Sequence, residues 1–301
     1  IAGHSPRPQP GEGVADDHVD DGAHGHHDGH DDQGVEQVLE EGDQGDGVII
    51  VLPVELRRDD LAEPHRGGQG LEGIHQRQEK GEGEPMILLH GNGEDGSYFA
   101  HQMDYFSRNY RVIVVDTRGH GQSPRGTAPF TIAQFAEDLH DFMDELDISK
   151  AVILGFSDGA NIAMKFVLKY PERIKALILN GGNLNPKGVK PITQIPIEIG
   201  YRIVSKFASK SAGARKNAEM LGLMVNDPNI EAEELSKITV PTLVISGTKD
   251  MIKEAHTKEI AKVLPNAKLA IIEGSHFIAS ENPKVFNRVV EQWLSGVQHE
   301  R

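Results

Sequence analysis

The run Ala151-Val-Ile-Leu-Gly-Phe-Ser157-Asp-Gly-Ala160 constrains the fold more than any other stretch of the chain. A short apolar strand breaks at Gly-x-Ser-x-Gly, and helical periodicity begins at once. Ala160, Ile162, Ala163, Phe166 and Val167 share one face of that helix, and Pro171 ends it. Gly155 and Gly159 have a steric reason to be there, because a serine at such a turn has a strained backbone and its flanks leave no room for a Cβ. Read alone, the segment also fits a Ser/Gly-rich strand-to-helix loop with no chemistry.

From Pro85 onward strand and helix patterns alternate. Strands fall near 86–90, 112–116, 151–156, 176–181, 242–247 and 268–273, and helices near 97–108, 131–146, 158–170, 253–264 and 281–296. That alternation predicts a parallel, doubly wound sheet. A long insertion, about 184 to 236, interrupts it, and a segment of that length needs structure of its own in a compact domain.

Two later strands end in residues suited to catalysis. Thr242-Leu-Val-Ile-Ser-Gly-Thr-Lys-Asp250 leads to an aspartate, and Lys268-Leu-Ala-Ile-Ile-Glu-Gly-Ser-His276 to a histidine. A serine hydroxyl is a poor nucleophile until a base takes its proton, and His276 is the candidate base for Ser157. Asp250 would fix the tautomer of that base and stabilise its imidazolium. The plainer alternatives are a helix N-cap at Asp250 and a loop histidine at His276.

The order Ser, Asp, His after a Gly-x-Ser-x-Gly turn resembles the α/β-hydrolase fold family, in which the turn is the nucleophile elbow. Two upstream segments share the resemblance. Pro85-Met-Ile-Leu-Leu-His-Gly-Asn92 reads as a strand ending in His-Gly, and Asp116-Thr-Arg-Gly-His-Gly-Gln-Ser matches the family's Asp-x-Arg-Gly-x-Gly-x-Ser loop. The resemblance runs from about Gly81 to Trp293. It implies an oxyanion hole made by the amides of Asn92 and Asp158, worth a few kcal/mol of barrier. It also implies a helical lid at 184–236. Ile195, Ile197, Ile199, Ile203, Val204 and Phe207, with Met220, Leu221, Leu223 and Met224, would supply the lid's apolar faces, and seven Lys and Arg residues from Lys187 to Lys216 its basic outer side. Asp116 and Arg118 are read as a local hydrogen-bonded pair. The Gly-Phe-Ser-Asp-Gly elbow most resembles the biphenyl-hydrolase-like and valacyclovir-hydrolase branch.

A rival motif overlaps the His-Gly strand. Gly91-Asn-Gly93-Glu-Asp-Gly96 spells Gly-x-Gly-x-x-Gly, with Asp116 twenty residues beyond Gly96, the spacing of a dinucleotide-binding fingerprint. Glu94 and Asp95 would repel the pyrophosphate such a loop must attract, and a nicotinamide-dependent dehydrogenase leaves Ser157, Asp250 and His276 unexplained.

The first eighty residues are a different kind of sequence. Up to Glu84 there are six Lys plus Arg against twenty-one Asp plus Glu, and beyond it twenty-five against twenty-five, so the formal net charge of −15 sits in this leader. Its composition predicts disorder, and the tract from His24 to Asp32 is suited to weak metal binding. The hairpin that precedes the His-Gly strand in the family is not recognisable between residues 50 and 84. The chain begins at Ile1 and its first methionine is Met86. The leader, 1–80, therefore reads as a non-native front end joined near Gly81 to an α/β-hydrolase domain at 81–301.

The chain has no cysteine, which removes disulfides and thiolate chemistry. No signal peptide and no membrane-crossing run is apparent. The expectation is a cytoplasmic serine hydrolase acting on a small ester or related acyl substrate, with no metal, cofactor, nucleic-acid or membrane partner. Ser157, Asp250 and His276 carry the chemistry. A non-catalytic ligand-binding protein of the same fold is the alternative. The Asp158 side chain either binds a cationic group on the substrate or caps the helix it begins.

Overall fold

A computed structural model of the chain describes residues 48–51 and 76–299. Among the described residues eight strands form one sheet. They are β1 (Val48–Val51), β2 (Gln76–Lys80), β3 (Glu84–Leu89), β4 (Tyr110–Asp116), β5 (Ala151–Phe156), β6 (Ile174–Asn180), β7 (Thr242–Gly247) and β8 (Ala267–Ile272), in the spatial order β1-β8-β7-β6-β5-β3-β4-β2. Every pairing is parallel except β2 with β4.

The central strands read as continuous apolar runs because both of their faces are covered. Along β5 the side chains alternate, Ala151 and Ile153 entering one core and Val152, Leu154 and Phe156 the other. The first core is closed by α2 (Ile132–Glu145), α3 (Asp158–Lys169) and α7 (Glu254–Val263), through Phe135, Phe142, Phe166 and Ile260. The second is closed by α1 (Ala100–Phe106), α8 (Ile278–Glu281) and α9 (Pro283–His299), through Phe106, Ile278, Phe286 and Val290. The chain steps from β3 outward to β4 and then back across to β5. The carboxyl ends of β3 and β5 therefore flank the point where the winding reverses, the crevice in which such sheets bind ligands.

The insertion folds as α4 (Pro191–Ser205), α5 (Ala212–Asn226) and the short α6 (Ala232–Leu235). The expected apolar faces are only partly used. Leu223 is buried, but Ile195, Ile199, Ile203 and Phe207 are each more than half exposed.

Two stretches assigned to the leader are strands. β1 lies parallel to β8 at one edge, and β2 closes the other edge antiparallel to β4. β2 is polar throughout, Gln-Arg-Gln-Glu-Lys, so it shows no apolar alternation. Its hold on β4 includes the ion pair of Glu79 with Arg111 at 2.6 Å. Residues 1–47, with the His24–Asp32 tract, lie outside the described residues, as does the segment 52–75.

The expected Asp116–Arg118 pair does not form. Asp116 accepts from the amides of Gly96 at 2.8 Å and Gln122 at 2.9 Å. The Arg118 guanidinium turns instead to Asp138 on α2 in a buried two-pronged ion pair, with Nε at 2.7 Å and Nη2 at 2.5 Å. Loop amides saturate one carboxylate, and the planar fork finds another that it matches better.

Candidate active site

Ser157 sits between β5 and α3 with φ 53° and ψ −118°, a left-handed region that L-residues rarely occupy. The two glycines make that turn possible. A Cβ on Gly155 would overlap the Gly159 carbonyl, and one on Gly159 would overlap the Leu89 carbonyl of β3. The serine is thus held proud of the sheet edge by close backbone contact rather than by its own side chain.

The structure brings Ser157, His276 and Asp250 into one hydrogen-bonded chain. The Ser157 hydroxyl lies 3.0 Å from His276 Nε2, and His276 Nδ1 lies 2.7 Å from Asp250 Oδ1. An ionised carboxylate only accepts, so Nδ1 carries the proton and Nε2 offers its lone pair to the serine. His276 and Asp250 are buried. Burial pushes the Asp250 carboxyl up, but the hydrogen bond and charge of His276, with the amides of Ile252 and Gly247, outweigh it and hold the group below the usual carboxylate range. Asp250 therefore stays charged beneath the imidazole. It does not cap α7, whose N-cap is Lys253.

Several neighbours keep this geometry, and of them only Phe156 lies within the elbow motif. Gly181, at φ 65°, leaves room for the imidazole, since a Cβ there would stand 2.7 Å from His276 Cε1. Lys190, at the start of the lid, donates from Nζ to the Asp250 carbonyl at 2.6 Å, and its amide donates to the Met251 carbonyl at 2.8 Å. The Phe156 ring packs 4.8 Å from the imidazole and is stacked at 4.3 Å by Tyr98.

The main-chain amides of Asn92 and Asp158 have no hydrogen-bond partner among the described residues. They lie at the carboxyl ends of adjacent strands, β3 and β5. The Asn92 side chain donates to the Met220 carbonyl of α5 at 2.7 Å, which ties this turn to the lid. Behind it, His90 Nε2 accepts from the Thr117 amide at 3.1 Å, fixing the His-Gly turn. Burial lowers the pKa of His90 and that of neighbouring His120, the latter to about 4, so both are neutral at pH 7.

Two acids stand close by. Glu94 accepts from the Gly91 amide at 3.3 Å, and burial pushes its carboxyl up to about 7 against the pull of that amide and of His276. Asp158 is buried. One oxygen accepts from the Asn161 side chain at 3.2 Å, and the other has no partner. Burial raises this carboxyl to about 6, Asn161 and His276 pulling it down and Asp227 pushing it further up. Asp158 makes no capping bond to a helix amide.

The dinucleotide reading fails on geometry. Asp116, its ribose-binding acid, is consumed by the Gly96 and Gln122 amides, and Glu94 occupies the Gly91 amide.

A parallel sheet with a strained serine at its reversal point, a following acid and a following histidine defines the α/β-hydrolase fold. Comparison with known proteins agrees. Residues 84–201 match the family model for the alpha/beta hydrolase fold. The chain is 26% identical to 3-oxoadipate enol-lactonase 2 of Acinetobacter baylyi over 68% of this chain and 86% of that protein. It is 28% identical to a putative non-heme chloroperoxidase of Synechocystis over 65% of this chain and 86% of that protein. The crystal structure of the enol-lactonase from Burkholderia xenovorans superposes with a TM-score of 0.63 at 24% identity, covering 73% of this chain and 96% of that one. The chain has the α/β-hydrolase fold, and its similarity to proteins named as hydrolases makes it an enzyme of the hydrolase class.

Proposed function

We propose that this hydrolase cleaves a small ester or related acyl substrate through an acyl-enzyme on Ser157. As His276 Nε2 takes the proton, Ser157 Oγ adds to the carbonyl carbon. The carbonyl oxygen becomes an oxyanion held by the amides of Asn92 and Asp158. The bond to the leaving oxygen then breaks, and the imidazolium returns its proton to that oxygen. Water enters, gives a proton to His276 and attacks the ester of Ser157, releasing the acid and restoring the hydroxyl. Asp250 stays ionised throughout and stabilises the imidazolium. Every step uses groups of this chain and water.

The observation that carries this reading is the continuous chain from Ser157 through His276 to buried, ionised Asp250. A relative named as an enol-lactonase supports an ester-like bond as the target. The test is hydrolysis of an activated aryl ester by Ser157→Ala. The turn is set by its glycines, so the fold should persist while activity falls by several orders of magnitude. Retention of more than about a tenth of the activity would remove Ser157 as nucleophile.

The unpartnered oxygen of Asp158 favours a second element of specificity. A buried carboxylate beside the nucleophile opposes the developing negative charge by roughly a few kcal/mol. A cation on the acyl part of the substrate, such as an α-ammonium, offsets that repulsion, so amino-acid esters are the preferred class.

A further inference from the structure

α4 is built inside out. Its hydrogen-bonding side chains face the protein: Gln194 is buried and donates to the Met224 carbonyl of α5 at 3.2 Å and to Glu198 at 3.3 Å, and the Tyr201 hydroxyl accepts from Asn226 of α5 at 3.2 Å. Most of its large apolar side chains face out, while Ile197 and Val204 are half-buried. Ile192 is 84% exposed, Ile195 54%, Ile199 52%, Ile203 54% and, just past the helix end, Phe207 51%. At intervals of three and four residues these lie along one stripe about 22 Å long. They are five of the six large apolar side chains that the described residues leave exposed.

The charge beside the stripe is of one sign. Arg202, Lys206 and Lys210 stand exposed along its second half, with Arg215 and Lys216 on the adjoining helix. None of the five makes an ion pair among the described residues. From Leu184 to Ala218 the only acid is Glu198, which is turned toward Gln194. A cationic island thus lies on a chain whose net charge is −15.

We propose that this face of α4, from Ile192 to Phe207, docks on an anionic lipid bilayer. The isoleucines enter the headgroup boundary while Arg202, Lys206 and Lys210 pair with lipid phosphates. An apolar stripe bordered by cations and free of carboxylates is the pattern of a helix lying in a membrane interface. A second copy of the chain fits less well, because a two-fold contact would bring unpaired cations together with no acid to meet them. The acidic leader matches the charge, but most of its longest apolar run, Val48–Val51, is already paired with β8 in the sheet. The lack of a membrane-crossing run does not bear on this contact: no described helix is long and apolar enough to span a bilayer, and a surface helix needs only one apolar face.

The experiment is cosedimentation of the full chain with vesicles of phosphatidylcholine alone and with roughly a third phosphatidylglycerol, at low and high salt. Binding to the anionic vesicles should exceed binding to the neutral ones by about tenfold and weaken with salt. The pair Ile195→Glu and Ile199→Glu should abolish it while leaving hydrolysis of a soluble aryl ester unchanged and the circular dichroism spectrum intact. Lys206→Glu should weaken it several-fold. Equal binding to both vesicles, or none, would overturn the proposal. So would a doubled mass in light scattering that Ile199→Glu returns to the monomer value, since a second copy would then cover the stripe.

Discussion

Replacing Asp158 by Asn removes one charge and almost no volume, and the size of the effect can be worked from its surroundings. Burial raises this carboxyl from 3.8 to about 6. An acid whose pKa is raised on folding keeps its proton in the native state where the unfolded chain has already lost it. Stability therefore falls as pH climbs from about 3.8 to about 6, and the full loss persists above that range. Holding the proton across that interval corresponds to a loss of ~3 kcal/mol at pH 7. Asn161 can still donate to the new amide oxygen, but the new NH2 replaces an oxygen that has no partner, which costs about 1 kcal/mol. Asp158→Asn should then be more stable than the parent by ~2 kcal/mol at pH 7 and should lose that advantage at pH 4. Urea unfolding of both proteins at the two pH values measures the difference. A variant equally or less stable at pH 7, with the same difference at both pH values, would refute the electrostatic reasoning. The same variant should lose the preference for amino-acid esters and spare neutral ones of equal size. If both ester classes fall together, or the parent shows no preference, the side chain is structural.

Three other substitutions probe the scaffold. Gly159→Ala forces a Cβ onto the Leu89 carbonyl, so it should cost at least ~4 kcal/mol or prevent folding, seen as loss of soluble protein or of the cooperative melt. Gly181→Ala should spare the fold but displace His276, lowering kcat/KM by about a hundredfold, and unchanged kcat/KM would show that the imidazole has slack. Arg118→Met strands the buried Asp138 carboxylate and should destabilise by ~3–5 kcal/mol in thermal or urea unfolding, and adding Asp138→Leu should restore much of that.

What the sequence revealed followed from physical cause. The parallel strands are buried on both faces, so their apolar runs stood out, and the strained turn at Ser157 demands its two glycines. The strands carrying Ser157, Asp250 and His276 were legible for that reason, with starts displaced by no more than one residue. β2 was illegible because an edge strand facing solvent needs no apolar alternation, and the Glu79–Arg111 pair that helps hold it joins residues far apart in the chain. Arg118 was paired with the wrong acid for a similar reason: Asp138 is adjacent only after α2 packs. The helical lid was expected from the resemblance, but a list of apolar residues carries no direction, and the structure turns much of the apolar side of α4 outward. Glu94, Gly181 and Lys190 border the site through backbone geometry that no motif records.

The central claim is a covalent acyl group on Ser157. Rapid mixing with an activated aryl ester, acid quench and peptide mass spectrometry should find the acyl mass on the peptide containing Ser157, together with a burst of released phenol stoichiometric with enzyme. Steady turnover with no burst and no adduct, or with the adduct on another residue, would contradict the account.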